Sequence, residues 1–140
     1  MIRDFQVSDT EQVMQLWLCG NIDAHPFVPA EYWQSQFHNV QEALSQATIF
    51  VCDRDGKLVG FIGLMDEYIA GIFVDKHHRC TGIGAQLLTH AKQTHSALSL
   101  SVYQQNTRAI AFYRREGFSI LSQGFDEETG KKDYTMVWNP

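Results

Sequence analysis

The residues with the clearest chemical potential form an Arg-x-x-Gly-x-Gly pattern in the middle of the chain. The pattern runs from Arg79 to Gly84, soon after an apolar stretch that ends at Val74. Glycines in such a turn leave backbone N–H groups unobstructed, and the positive end of a following helix attracts anions. The spacing does not fit a Walker A loop or a dinucleotide fingerprint. The pattern therefore predicts a phosphate-binding turn of another type.

A second block of residues strengthens this interpretation. Asn106 to Phe118 reads Asn-Thr-Arg-Ala-Ile-Ala-Phe-Tyr-Arg-Arg-Glu-Gly-Phe. Together the two blocks resemble the GNAT family of N-acetyltransferases, whose motifs are Gln/Arg-x-x-Gly-x-Gly/Ala after the fourth strand and, later, Asn-x-x-Ala-x-x-Phe-Tyr-x-x-x-Gly-Phe. They occur in the family's order and at its separation, so the resemblance covers essentially the whole chain.

The resemblance implies acetyl-coenzyme A as the cosubstrate. In this family the pantetheine arm lies like an extra strand between two central parallel strands that splay apart, and the pyrophosphate sits on the glycine-rich turn. The residues that match these contacts are Ile72, Phe73 and Val74 for the arm, Arg79, Gly82, Ile83, Gly84 and Ala85 for the pyrophosphate, and Asn106 for the arm again.

Hydrophobic periodicity predicts an α/β fold with helices and strands in the family's order. Helical spacing predicts helices over 10–20, 33–44, 83–91 and 107–116, and apolar or alternating runs predict strands over 2–7, 48–53, 57–65, 69–74, 98–103, 118–125 and 134–138. The resemblance implies a GNAT-type mixed, mostly antiparallel sheet with splayed central parallel strands and flanking helices. We expect one domain over residues 1–140.

Acyl transfer to an amine needs a proton donor for the thiolate and a group that deprotonates the amine. By resemblance, Tyr113 of the Phe-Tyr pair points at the coenzyme sulfur and is the predicted acid, because a phenol stays protonated at neutral pH. The base is less clear, since Ser101 stands where peptide N-terminal acetyltransferases of the family often carry Glu. Glu67 is the first candidate to replace it, ahead of Asp66 and His25, and water is an alternative.

The segment 21–28 lies where the family's first two helices cover the acceptor site. His25 offers a titratable imidazole and Phe27 an aromatic surface, so both are candidate substrate contacts, although Phe27 could equally pack against the second helix. The adjacent pair His77 and His78 does not have metal-ligand spacing, and we expect no metal.

Composition excludes several other classes of protein. Hydrophobic residues make up 44% of the chain and charged residues 19%, which predicts a globular chain, and no apolar run is long enough for a membrane span. The net charge of −5 without a basic stripe argues against nucleic acid as a partner. Three cysteines without metal spacing, and a start that does not resemble an export signal, predict a cytoplasmic protein, either a monomer or a homodimer.

Two functions remain open from the sequence. The first is an acetyl-coenzyme A-dependent N-acetyltransferase that transfers the acetyl group directly, in a ternary complex, to a primary amine on a peptide, a protein or a small molecule. The second is a non-catalytic acyl-coenzyme A sensor. Ser101 favours the sensor, whereas Tyr113 and Asn106 favour the enzyme.

Overall fold

The chain forms a seven-stranded sheet with helices on both faces. This is a computed structural model, and it describes residues 1–140. The helices are α1 (Thr10–Ala24), α2 (Ala30–Ala43), α3 (Ile83–Lys92) and α4 (Thr107–Arg115), and the strands are β1 (Ile2–Asp4), β2 (Thr48–Arg54), β3 (Lys57–Met65), β4 (Tyr68–Val74), β5 (Leu98–Tyr103), β6 (Ser119–Phe125) and β7 (Lys132–Trp138). No helix combines the length and the apolar character that crossing a membrane requires.

The sheet is mixed and mostly antiparallel. Its strand order is β1-β2-β3-β4-β5-β7-β6. Every neighbouring pair is antiparallel except β4 and β5, which lie side by side at the centre. The α/β class and the central parallel pair are therefore confirmed.

Two apolar clusters cover the two faces of the sheet. On one face, Leu87 and Leu88 of α3 and Ile110 of α4 pack against strand residues such as Ile62 and Leu100. The smaller cluster on the other face contains Val13 of α1, packed on residues of β2 and β3. Helices α3 and α4 are the next α-helices in the chain after the two parallel strands β4 and β5, respectively.

The N-terminal strand is shorter than the sequence predicts. A strand over 2–7 is expected, but β1 ends at Asp4 and a short 3-10 turn spans Val7–Asp9. The cause is Asp9, whose carboxylate accepts hydrogen bonds from the Arg3 guanidinium at 2.8 Å and from the Gln6 backbone N–H at 2.8 Å. These bonds bend the chain into the start of α1.

Helix α1 is longer than predicted. The sequence pattern predicts that the helix ends at Gly20, but the helix continues to Ala24. A Cβ atom at position 20 would lie 2.7 Å from the ring of Phe73 on β4. Glycine at this position therefore allows α1 to pack closely on β4 and does not terminate the helix.

Candidate active site

The two central parallel strands separate after a short contact. They pair only at Tyr68 with Ser99 and at Ile69 with Leu100. The register between β3 and β4 shifts so that Ala70 has no partner, which is a β-bulge. Beyond the bulge, β4 stays paired with β3 but not with β5. The backbone groups of β4 that face β5 are therefore free to bind an extended ligand. They lie in the stretch that contains Ile72, Phe73 and Val74.

The glycine-rich turn leads into the uncapped N-terminus of α3. Gly82 is the N-cap residue with φ of +86°, and no side chain caps the helix start. A positive φ of this size suits glycine, which has no Cβ to clash. The N–H groups of Ile83, Gly84 and Ala85 in the first turn therefore remain available, and the helix dipole favours an anion beside them.

Arg79 lies in the same turn, but its guanidinium is not free. It forms an ion pair of 2.8 Å with Asp23 in the last turn of α1. The side chain of Arg79 is 28% exposed and that of Asp23 is 52% exposed.

Tyr113 is buried on α4, on the same side of the sheet as α3. It is 8% exposed and packs edge-on against Phe112 and Phe118. Burial raises the pKa of Tyr113 above its usual value of about 10, and the nearby Tyr68 raises the pKa further. Its hydroxyl has no hydrogen-bond partner in the protein and stays protonated, as a proton donor must.

The first turn of α3 lies close to Phe112 of α4 and to the end of β4. A Cβ atom added to Gly84 would lie 3.4 Å from the ring of Phe112 and 3.8 Å from Val74. The turn that begins α3, the end of β4 and the Phe112-Tyr113 pair therefore form one continuous region.

Asn106 caps α4 and joins it to the segment between α1 and α2. Its side-chain oxygen accepts a hydrogen bond of 3.2 Å from the Ala109 N–H, which orients the amide nitrogen toward His25. That nitrogen lies 3.3 Å from Nε2 of His25. Since an amide nitrogen can only donate, Nε2 accepts and the proton of the neutral ring sits on Nδ1, which has no hydrogen-bond partner.

His25 is poorly suited to act as a base in this arrangement. Burial lowers the pKa of His25 to about 4 and outweighs the opposing effect of the Asn21 backbone. An imidazole of such low basicity has little tendency to take a proton from an ammonium group of pKa about 10.4. The structure instead places His25 beside Tyr103 and Phe27, with ring centroids 4.9 and 5.6 Å away.

Ser101 and Glu67 are the two positions that bear on the base. Both lie near the end of the gap between β4 and β5 at which the two strands still pair. Ser101 is exposed on β5 and follows Leu100, so it lies level with the bulge at Ala70. Glu67 is exposed in the turn between β3 and β4, and its backbone carbonyl accepts a hydrogen bond of 2.9 Å from the Ser99 N–H. The turn thus holds Glu67 where β4 and β5 still pair, outside the open part of the gap.

Sequence reasoning missed two tyrosines near the segment 21–28, on the side of the molecule that we call the acceptor side. Tyr103 donates a hydrogen bond of 2.7 Å to Asp126, and Tyr32 of α2 donates one to Glu128. Both carboxylates belong to the turn between β6 and β7. Tyr103 shares a face of β5 with Ser101, because strand side chains alternate, and this period of two was the available signal. No sequence pattern indicates that Asp126 and Glu128 accept the hydrogen bonds from these tyrosines.

No group of three or more histidine, cysteine, aspartate or glutamate side chains is placed to hold a metal ion. His77 and His78 lie in a short 3-10 turn, where His78 Nδ1 contacts Asp75 at 2.8 Å. The side-chain hydrogen bond from His78 lowers the pKa of Asp75.

Comparison with known proteins identifies the family. Residues 45–120 match the model of the acetyltransferase (GNAT) domain. The chain is 37% identical over 140 residues to the peptidyl-lysine N-acetyltransferase YiaC of Escherichia coli K12, covering 99% of this chain and 96% of the relative. It is 31% identical over 133 residues to the peptidyl-lysine N-acetyltransferase YjaB of the same organism, covering 93% and 89%.

Solved structures agree with this relationship. The solution structure of apo YjaB from Escherichia coli superposes with a TM-score of 0.86 at 25% identity, covering 99% of this chain and 96% of that one. PaiA N-acetyltransferase from Thermoplasma acidophilum, in complex with coenzyme A, has the same fold, with a TM-score of 0.82 at 18% identity over 100% and 98% of the two chains.

The chain belongs to the GNAT family of N-acetyltransferases. It is an enzyme that transfers an acetyl group from acetyl-coenzyme A to an amine. The alternative of a non-catalytic sensor is set aside, because relatives that match along almost the whole chain are named as enzymes.

Proposed function

We propose that the chain acetylates the side-chain amine of lysine residues in peptides or proteins. The observation that carries this proposal is the 37% identity to a peptidyl-lysine N-acetyltransferase over 99% of the chain. An open acceptor side is consistent with it. There, Ser101 is exposed on β5, and Asp126 binds Tyr103 at the end of the same strand. The negative charges of Asp126 and of Glu128 in the same turn suit a cationic acceptor.

The coenzyme contacts follow from free backbone groups. The unpaired edge of β4 at Ile72, Phe73 and Val74 would hold the pantetheine arm, and Asn106 would bind it from the start of α4. The turn from Arg79 to Ala85, with the first N–H groups of α3, would hold the pyrophosphate. These groups fit the ligand because no protein group caps α3 and none pairs with β4 beyond the bulge on its β5 side.

Acetyl-coenzyme A supplies a thioester whose carbonyl carbon forms a bond to the amine nitrogen while its bond to sulfur breaks. Tyr113 would donate its proton to the departing thiolate and recover one from solvent. The amine must lose a proton before it attacks. Ser101 has no basic group and Glu67 lies outside the open part of the gap, so we assign this step to water or to Glu67 acting through water. His25 and Phe27 would line the acceptor side.

The proposal also covers the setting of the enzyme. We propose that residues 1–140 act as one domain in the cytoplasm, as a monomer or a homodimer, without nucleic acid or membrane as a partner. Three free cysteines, two of them exposed, fit a reducing compartment, and a net charge of −5 does not favour a polyanion.

The proposal is tested by comparing two acceptor peptides. Purified protein is incubated with acetyl-coenzyme A and two peptides, one with a lysine and a blocked N-terminus and one with a free N-terminus and no lysine. We expect thiol release and a mass increase of one acetyl group on the lysine peptide only. Acetylation of the free N-terminus alone would refute the proposal, and Tyr113→Phe serves as the control for enzymatic transfer.

A further inference from the structure

The ion pair between Asp23 and Arg79 joins the acceptor side of the molecule to the phosphate-binding turn. Asp23 lies in the last turn of α1, directly before the segment 25–28, and its Oδ2 is 2.8 Å from Nη1 of Arg79. Arg79 is the side chain that stands first in the Arg-x-x-Gly-x-Gly turn. A carboxylate thus occupies a guanidinium that the pyrophosphate would also use.

The two anions cannot share Arg79 without cost. A pyrophosphate seated on the α3 N-terminus would bring its negative charge next to Arg79, and therefore close to the Asp23 carboxylate. Like charges repel, and the repulsion is stronger near a protein surface than in bulk water. The existing pair is half exposed, so it is weak enough for a stronger anion to displace it.

His25, two residues after Asp23, makes a second contact with the expected coenzyme site. His25 accepts the hydrogen bond from Asn106 at the start of α4. The end of α1 is therefore attached to the turn before α3 through Asp23, and the next residues are attached to the start of α4 through His25.

We propose that Asp23 is a positioning residue that holds Arg79 in the coenzyme-free enzyme and is displaced from it by the pyrophosphate. Coenzyme binding then breaks the Asp23–Arg79 contact and leaves the His25–Asn106 contact as the remaining one of the two. Binding at the coenzyme site therefore affects the acceptor side. The inference rests on the proposed function insofar as Arg79 and its turn hold the pyrophosphate.

Calorimetry with coenzyme A tests the competition. Because Asp23→Asn removes the competing charge, the variant should bind coenzyme A about three- to tenfold more tightly than the wild type at low salt. Glu11→Gln is the matched control, since it removes one negative charge from the exposed first turn of the same helix, far from Arg79. It should leave the dissociation constant unchanged.

The route through Arg79 is tested in a double-mutant cycle. In an Arg79→Gln background, which weakens coenzyme binding, Asp23→Asn should have no further effect on affinity. Unfolding midpoints without ligand verify that the variants are folded, which is expected because Asp23 is half exposed.

Three results would overturn the inference: unchanged affinity in Asp23→Asn, weaker affinity in that variant, or an equal gain in the Arg79→Gln background. The second would mean that Asp23 orients Arg79 for the ligand. If the wild type binds coenzyme A and shows this pattern but does not acetylate lysine, the proposed acceptor fails and the role of Asp23 stands.

Discussion

Tyr113 is the single side chain whose environment best matches a chemical task. It is buried, lacks a hydrogen-bond partner in the protein, and has a raised pKa. The hydroxyl is not one of the fully buried polar atoms that lack a partner, so solvent reaches it although the ring is buried. A ligand at the same surface can reach it as well.

We expect Tyr113→Phe to lower kcat by about 10²-fold while the dissociation constant of coenzyme A stays within about twofold, because the proton is needed only as the thiolate leaves. Steady-state kinetics and calorimetry measure the two quantities. Tyr134→Phe is the control, since Tyr134 packs against the same core. Equal turnover of Tyr113→Phe and wild type would show that Tyr113 only packs.

Glu67→Gln tests the assignment of the base. We expect the rate to fall mainly below about pH 8, where an amine of pKa about 10.4 is protonated, and to recover at high pH. Glu11→Gln, at an exposed carboxylate in the first turn of α1, is the control and should leave the profile unchanged. A pH–rate profile distinguishes the outcomes: a uniform loss would make Glu67 a positioning residue, and no loss would remove it from the site.

The two glycines of the phosphate-binding turn should respond differently to alanine. Gly82 has φ of +86°, so Gly82→Ala strains the backbone by about 1–2 kcal/mol and should weaken coenzyme binding. In Gly84→Ala the new Cβ meets only an ordinary contact with Phe112, 3.4 Å away, and alanine favours a helix. Thermal unfolding and calorimetry should show loss of stability and affinity in the first variant only. Equal losses would contradict this account.

At the scale of elements, local patterns predict the strands and helices well. The predicted bounds of β3 and β5 agree with the structure, since their apolar runs are buried by helices on the sheet. The prediction fails where a distant residue decides the local conformation. Helix α1 runs through Gly20, where the missing side chain leaves room for Phe73 of β4, and β1 ends early because Arg3 binds Asp9.

For the site as well, the sequence predicts contiguous motifs but not contacts between residues that are far apart in the chain. The turn from Arg79 to Ala85 and the Phe-Tyr pair form contiguous motifs, so sequence alone points to them. The pairing of Asp23 with Arg79 and of His25 with Asn106 depends on how α1 crosses the sheet. Neither pair has a sequence signal, because the partners are far apart in the chain.

The close packing of β3, β4 and α3 gives a prediction for the element scale. A Cβ atom on Gly60 would lie 2.9 Å from the Phe73 carbonyl oxygen and 3.1 Å from Ile83, so Gly60→Ala should destabilise the fold by about 1–3 kcal/mol. Gly63→Ala is the control on the same strand, since its nearest neighbour is 3.9 Å away. Denaturant unfolding compares the two, and similar losses would refute the packing argument.

For the whole molecule, His25 should make stability depend on pH. Burial lowers the pKa of His25 to about 4, so the unfolded chain, in which histidine titrates near pH 6.5, binds the proton more readily. The stability contribution is fully present above about pH 6.5 and is lost as the pH falls toward 4. Other groups also titrate in this range, so the contribution is measured as a difference between variants.

His25→Gln should therefore reduce the loss of unfolding free energy between pH 7 and about pH 4.5, while the exposed His38→Gln should not. Denaturant unfolding at several pH values measures the slopes. Parallel slopes for wild type and His25→Gln would show that His25 is not buried as a neutral ring.

The brief contact between β4 and β5 divides the sheet into two parts, four strands on one side and three on the other. Only two residue pairs connect them within the sheet. Backbone amides of β4 beyond Ala70 that face β5 have no strand partner, so they should exchange with solvent faster than their neighbours. A ligand strand in the gap would connect the two parts by main-chain hydrogen bonds. The coenzyme would then act as a mechanical tie, and the two parts should unfold more cooperatively in its presence than without it.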